Sequence, residues 1–293
     1  MLVLLAASCG VYCAPKSGAN KAPANPIPEI EMIRIPAGSF LMGNSGVGDD
    51  AYYVERAKLN GELPQHSVYL PVYSIGKYEV TRGQYRKFIQ AGGYSNPAYW
   101  SNDGWKWKTK NKRTEPGFWA AKQTWGRGQT FTQTDKHPVV GVTYYEAEAF
   151  CKWAGGHLPT EAQWEKAARW NAAKKHPNVY PWGDVWDAEK CNNYEDHNIA
   201  GGGSKGRQTA PVGSYPDGAS PYGCQDMAGN AWEWCQDWYK SYPGSTKQFD
   251  ETNNYRVLRG GGWRDDFGYA RCAYRVYDYP IHYNGGIGFR FAR

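Results

Sequence analysis

Apolar and polar residues alternate in short runs along the first third of the chain. The alternation begins at Met32–Ile35, resumes at Phe40–Gly43 after a Pro-Ala-Gly-Ser turn, and returns with aromatic residues at Val68–Tyr78. A period of two places one face of a strand against a core, so these runs predict short strands. From Tyr180 to Arg293 turn residues and aromatics dominate, which predicts short strands joined by long ordered loops.

Three other segments repeat apolar residues at helical spacing. Thr81 is the predicted N-cap of the first helix, which Gly92-Gly93 ends. The second runs over Thr143–Ala154 and the third begins at Thr160, each starting with a Thr that is followed three residues later by Glu or Gln. Few helices, many short strands and no internal repeat predict an α+β protein with much irregular structure.

The composition favours one large, loop-rich domain with a short leader. The 293 residues include 23 Tyr, 14 Trp and 35 Gly, which is typical of short strands rather than long helices. No run of about 18 apolar residues occurs, which argues against a membrane-spanning bundle. The net charge of +6 is that of an ordinary hydrated surface.

One local basic run has aromatic residues among its cations. It covers Lys106–Arg113, with Trp105 and Trp107 interleaved. Such a mixture can bind single-stranded nucleic acid. Because no RNA-binding module accompanies it, we interpret the run as a solvated loop and expect no nucleic-acid partner.

The N-terminus has the pattern of an export signal. Residues 1–8 are apolar and end in small residues, although a positively charged start is missing. The small residues before Cys9 resemble a bacterial lipoprotein processing site, which implies lipidation of Cys9, a lipid-anchored tether over residues 9–29 and a folded domain over 30–293. A surface-exposed lipoprotein of the bacterial cell envelope is therefore predicted. A signal peptide cleaved elsewhere is the alternative.

Eight ordered motifs resemble one known family. They are Ile35–Gly43, Tyr78–Thr81, His137–Val142, Leu158–Glu165, Tyr180–Gly183, Asp226–Trp234, Arg259–Gly261 and Gly288–Arg290. Together they are similar to the formylglycine-generating-enzyme (sulfatase-modifying factor) family, over roughly Glu31 to Arg293. The resemblance implies the C-type-lectin-like fold of that family.

The resemblance also gives a test for catalysis. The family's enzyme holds Cu(I) between two thiolates that lie between the Arg-Gly-Gly motif and a later Arg-x-Ala-x-Arg segment. Here the interval Gly262–Ala270 contains no cysteine, and Cys272 alone does not make a two-thiolate site. Another branch builds an iron site with histidines of an added helical domain, which this chain does not show. We therefore predict a protein that is not an enzyme and does not bind copper.

A structural calcium ion is also implied by the resemblance. The family's ligand positions fall on Asp226, Gly229, Ala231 and Glu233, where carboxylates bracket a tight turn. Carboxylate and backbone oxygens suit Ca²⁺. The alternative is a hydrogen-bonded turn without an ion.

The segment 264–286 has an unusual composition. No Lys, Glu, Gln, Met or Trp occurs from Arg264 to Ile287, although four of these five types are frequent elsewhere. Codons that end in a pyrimidine encode none of the five. The segment thus resembles the variable region of a diversity-generating retroelement target protein. A chance composition in an inactive paralogue is the alternative.

Within this segment we expect a constant framework and an outer, ligand-binding layer. The framework positions are Ala270, Arg271, Ala273, Arg275 and Pro280. The predicted ligand-binding residues are Arg264, Asp265, Asp266, Phe267, Tyr269, Cys272, Tyr274, Val276, Tyr277, Asp278, Tyr279, Ile281, His282, Tyr283 and Asn284. Tyrosine-rich surfaces bind well because Tyr offers rigid amphipathic area at low entropic cost.

These patterns lead to three functional hypotheses. The first is a surface-displayed lipoprotein whose diversified segment binds a protein or cell-surface ligand. The second is a formylglycine-generating or related metal-dependent oxidoreductase. The third is a structural cell-envelope paralogue of the family.

Overall fold

The computed structural model describes residues 28–46, 61–120, 122–125, 129–194, 208–249 and 252–293. The predicted signal segment, Cys9 and nearly all of the tether lie outside the described residues. Among the described residues, no helix has the length and apolar character needed to cross a membrane.

Short strands dominate the described part of the chain. They are β1 (Met32–Ile35), β2 (Gly38–Met42), β3 (His66–Leu70), β4 (Tyr73–Gly76), β5 (Lys122–Trp125), β6 (Gln129–Thr132), β7 (Trp170–Asn171), β8 (His176–Pro177), β9 (Trp232–Trp238), β10 (Arg256–Arg259), β11 (Arg275–Asp278) and β12 (Ile287–Gly288). The helices are α1 (Arg82–Gln90), α2 (Asn102–Lys110), α3 (Tyr144–Trp153) and α4 (Glu161–Arg169). The predicted α+β class with few helices is confirmed.

The largest sheet has four strands in the order β11-β10-β9-β12. Strands β9, β10 and β11 run antiparallel, whereas β12 pairs with β9 in parallel. Arg256 pairs with both Trp238 and Asp278, so the ends of β9 and β11 meet at one end of this sheet. Four two-stranded sheets, β1-β4, β2-β3, β5-β6 and β7-β8, surround it.

Capping explains where three of the helices begin. The side chains of Thr81, Thr143 and Thr160 each accept a hydrogen bond from the backbone amide three residues on. The Glu or Gln side chain at that position in turn accepts a hydrogen bond from the Thr backbone amide. These predicted starts are confirmed. The interpretation of Lys106–Arg113 as a loop is wrong, since residues up to Lys110 belong to α2. Its basic residues alternate with a period of two, which hid the helix.

Four buried arginines fasten the C-terminal third to the rest of the molecule. Each is fully buried and paired with a glutamate from another part of the chain. The pairs are Arg259 with Glu165, Arg271 with Glu62, Arg275 with Glu161 and Arg290 with Glu233. Three of them are bidentate at 2.6–2.8 Å, the geometry that fixes an arginine most firmly.

Candidate functional site

A groove of about 370 Å³ opens where β9 begins. We call it the Trp232 groove. Its lining is formed by Trp232, Gly262, Trp263, Arg264, Asp265, Asn284 and Gly286. Three of the predicted ligand-binding residues, Arg264, Asp265 and Asn284, therefore come together although up to 20 positions separate them. They meet because β12 pairs in parallel with β9 at Trp232. This pairing brings residues 284–286 next to Trp232.

Asp265 is a polar residue of the groove whose side chain accepts two hydrogen bonds. One of its carboxylate oxygens, Oδ2, accepts bonds from the Trp232 indole N–H at 2.8 Å and from the Gly262 amide at 2.9 Å. Burial raises the pKa of the Asp265 carboxyl, and these two donors oppose the rise. The carboxylate is thus held in one orientation by an indole N–H and a backbone amide.

The second charged residue that lines the groove is Arg264. The Arg264 guanidinium sits 4.4 Å from the centre of the Trp263 ring, a cation–π distance. Trp263 itself is buried and its indole donates to the Gly285 carbonyl at 3.3 Å. Burial lowers the pKa of Arg264. The groove therefore presents one anion and one cation between aromatic walls.

Three further predicted residues, Asp266, Phe267 and Tyr269, do not line the groove. Asp266 accepts from the Gly268 amide at 2.8 Å, and Phe267 packs 6.2 Å from Trp186. The Tyr269 ring meets Trp232 edge-on at 6.5 Å.

Two predicted residues, Tyr277 and Tyr279, belong to what we call the tyrosine ladder. Its rings follow in the spatial order Tyr239, Tyr277, Tyr255 and Tyr279, and neighbouring rings are 4.6–4.7 Å apart. Tyr277 and Tyr279 are about half exposed. Ile281 beside them is exposed, and the ion-paired Asp278 and His282 follow the same turn of chain.

The ladder and the groove lie at opposite ends of β9. Trp232 lines the groove, whereas Trp238 aligns through Arg256 with Asp278. Six residues of strand at ~3.3 Å each separate the two by ~20 Å. The structure therefore divides the predicted surface into two parts. Tyr283 belongs to neither, because it packs on Phe118 and under Arg113.

Two of the predicted ligand-binding residues are core residues. Cys272 has no exposed surface and lies among Trp164, Met227 and Ala168. Tyr274 is 5% exposed and packs against Trp232. Their placement in the outer layer is corrected here. The cause is local: the chain between Tyr269 and Arg275 crosses the interior, so consecutive side chains face inward.

The two carboxylates among the predicted calcium ligands, Asp226 and Glu233, already have hydrogen-bond partners within the protein. Both oxygens of Glu233 already accept bonds, from Arg290 at 2.6 Å each and from the Trp164 indole at 2.8 Å. Asp226 accepts from the Gly213 amide at 2.7 Å, and the Gly229 amide donates to the Gly260 carbonyl. No group of three or more His, Cys, Asp or Glu within the described ranges is placed to hold a metal ion. The turn is held by hydrogen bonds and an ion pair.

The five cysteines in the described part of the chain are buried. Burial raises the pKa of the Cys272 thiol to about 12 and that of Cys224 to about 11. Such thiols are poor nucleophiles and poor ligands near neutral pH.

Short strands, few helices and long ordered loops around one small mixed sheet define the C-type-lectin-like class of fold. The fold resembles that of Treponema denticola variable protein 1, with a TM-score of 0.61 at 22% identity over 89% of this chain and 94% of that one. PvdO from Pseudomonas aeruginosa gives the same score at 23% identity. The chain belongs to the sulfatase-modifying factor enzyme 1-like family, whose model matches residues 17–293. That match begins inside the segment predicted as a tether.

Curated relatives of this family carry enzyme names. "Hercynine oxygenase" of Mycolicibacterium smegmatis is 36% identical over 89% of this chain, which spans about 60% of that protein. "Formylglycine-generating enzyme" of Thermomonospora curvata is 32% identical over 89% of this chain and 92% of its own length.

These relatives overturn the prediction that the chain is not an enzyme. That prediction rested on the missing thiol pair, which bears on one reaction only. Members of this family are named for two different reactions. The absence of the residues that one reaction needs therefore does not exclude catalysis of another.

Proposed function

We propose that this chain binds a protein or cell-surface ligand through the outer layer of residues 264–286, and that it is displayed at the bacterial surface by a lipid on Cys9. One observation carries the binding proposal. Four of the five framework positions, Ala270, Arg271, Ala273 and Arg275, are at most 2% exposed, whereas 13 of the 15 predicted ligand-binding residues are not buried.

The energetics of the segment support this division of roles. Arg271 and Arg275 each make two bonds to a buried glutamate, so the backbone between them is fixed from inside. Side chains pointing away from those pairs change without disturbing them. Substitutions at such exposed sites usually alter stability by less than about 0.5 kcal/mol.

Sequencing the gene in many isolates of its source tests the proposal. We expect substitutions to concentrate at the non-buried positions of 264–286, with Ala270, Arg271, Ala273 and Arg275 unchanged. The segment 172–194 is a control of equal length with comparable exposure. Equal variation in both segments, or variation at the four framework positions, would contradict diversification.

A test on the protein itself needs no knowledge of the ligand. A displayed library randomised at Arg264, Asp266, Tyr277, Tyr279 and His282 should keep its folded fraction. It should also yield binders to unrelated proteins. A library randomised at the four framework positions is the matched control and should unfold.

A second candidate function is catalysis in the Trp232 groove. It is favoured by the 36% identity to a protein named hercynine oxygenase and by the oriented Asp265 carboxylate. The described residues offer no three-ligand set for a metal, so we assign no metal-dependent step. Incubation with hercynine in air, with and without ferrous iron, followed by mass spectrometry of the products tests it. Product formation that Asp265→Asn abolishes would support this function, and no turnover would remove it.

A further inference from the structure

Helix α2 and the turn after it carry most of the net charge of the molecule. Residues 101–113 contain five basic side chains and one acidic one, a net charge of +4 against +6 for the whole chain. Arg113 is neutralised by the buried Glu146, at 3.1 Å. Four lysines remain: Lys106, Lys108, Lys110 and Lys112. Lys106 and Lys110 share one side of the helix, and we call this side the α2 face.

Helix α2, which carries the α2 face, packs closely against the rest of the molecule. Ser101 caps the helix, and Gly104 is buried against the Tyr145 side chain, where a Cβ would lie 3.1 Å away. Lys106 and Lys110 are four residues apart and so lie on one side of the helix, about 6 Å apart along its axis. Favourable interaction with the helix C-terminus accounts for Lys108 and Lys110 in the last turn. It does not account for Lys106, whose 3.9 Å pair with Asp103 is almost fully exposed and contributes little.

The surroundings of the lysines restrict the partner. Lys108 covers the Trp105 ring at 4.9 Å, and Arg113 lies 5.8 Å from the Trp107 ring. Those ring faces are therefore not free to stack on nucleotide bases, which single-strand binding requires. No large hydrophobic side chain of residues 101–113 is among the strongly exposed ones. The face thus lacks both the apolar centre of a protein interface and the apolar side chains that enter a membrane.

We propose that the α2 face binds an acidic polysaccharide. A linear polymer with repeating carboxylate or sulfate groups can place successive anions against Lys106 and Lys110, which are exposed on one side of the helix. None of the four lysines lines the Trp232 groove or belongs to the tyrosine ladder, so substitutions of these lysines test this proposal separately from the binding proposal.

Binding of the full chain to heparin, to alginate, to an oligothymidylate and to vesicles containing phosphatidylglycerol tests this proposal. We expect the polysaccharides to bind more tightly than the other two probes. Lys106→Glu/Lys110→Glu should weaken polysaccharide binding by about tenfold or more, because each exchange replaces attraction by repulsion.

The control Lys136→Glu/Lys174→Glu makes the same change in charge at exposed lysines elsewhere and should alter affinity by less than about twofold. Thermal unfolding verifies that each variant is folded. If Lys106→Glu/Lys110→Glu does not fold, Lys106→Gln/Lys110→Gln takes its place. Equal losses in control and test variants, absent polysaccharide binding, or tighter binding of the oligothymidylate or the vesicles would overturn the proposal.

Discussion

At the scale of single residues, the C-terminal segment is organised by charge inside and by aromatic rings outside. Arg271 is the clearest case, because both carboxylate oxygens of Glu62 accept its guanidinium at 2.8 Å while neither residue is more than 1% exposed. The sequence suggested that Arg271 is constant, but its partner lies 209 residues away. Such a partner follows only from the three-dimensional packing.

Arg271→Ala should destabilise the protein by about 3–5 kcal/mol, because it leaves the Glu62 carboxylate buried without a counter-charge. Urea unfolding followed by tryptophan fluorescence measures the change. Glu62→Gln/Arg271→Met removes both charges and should recover much of the loss. The exposed Arg264→Ala serves as control, and a comparable loss there would show that Arg271 has no special role.

At the scale of elements, local sequence was informative where a helix begins and uninformative where strands pair. The Thr caps of α1, α3 and α4 act within four residues and could be predicted. The pairing of β12 with β9 joins Ile287 to Trp232, and only this pairing places Asn284 in the groove. The strand period also predicted that about half of the segment would be buried, but it did not identify Cys272 and Tyr274 as the inward-facing residues.

The edge strand β11 offers a test of the outer layer. Tyr277→Ala/Tyr279→Ala removes two half-exposed rings of the tyrosine ladder and should cost about 2 kcal/mol or less. Phe150→Ala, in the core between α1 and α3, should cost about 3–5 kcal/mol because it leaves a cavity. Differential scanning calorimetry compares them. A loss at the ladder as large as the loss at Phe150 would place the ladder in the core and refute an interchangeable outer layer.

At the scale of the whole molecule, sequence motifs predicted the family and the fold but not the range of functions. The motifs are mostly turns and buried pairs, such as Glu233 in the Asp226–Trp234 motif, so they report on folding. The relatives are named for different reactions, so membership of the family does not by itself identify a reaction. The division of the binding surface into groove and ladder likewise depends on the register of β9, β10 and β11.

The buried carboxyls Glu79 and Asp226 make global stability depend on pH. Burial raises the pKa of Asp226 to about 6 and that of Glu79 well above its usual value, and the nearby Glu233 adds to both. The pKa of such a carboxyl is higher in the folded state than in the unfolded state. Its contribution to stability is complete at pH values below the unfolded-state pKa. That contribution is lost as pH rises through the folded pKa. Asp226 should therefore weaken the fold as pH rises from about 4 to about 6, by about 3 kcal/mol at most, and Glu79 acts in the same direction.

Glu79→Gln isolates this effect, because the amide resembles the protonated acid and still accepts the bond from Asn230. The variant should gain stability relative to the wild type at pH 7 and little at pH 4, as measured by urea unfolding at both values. Added calcium is a further discriminating condition, since a cation bound by Asp226 would favour its charged form and reverse the trend in the wild type. Stabilisation of both proteins at pH 7 by added calcium would support the predicted ion at this turn. If added calcium does not change the urea unfolding curves, the turn is stabilised by its hydrogen bonds and by the ion pair between Glu233 and Arg290.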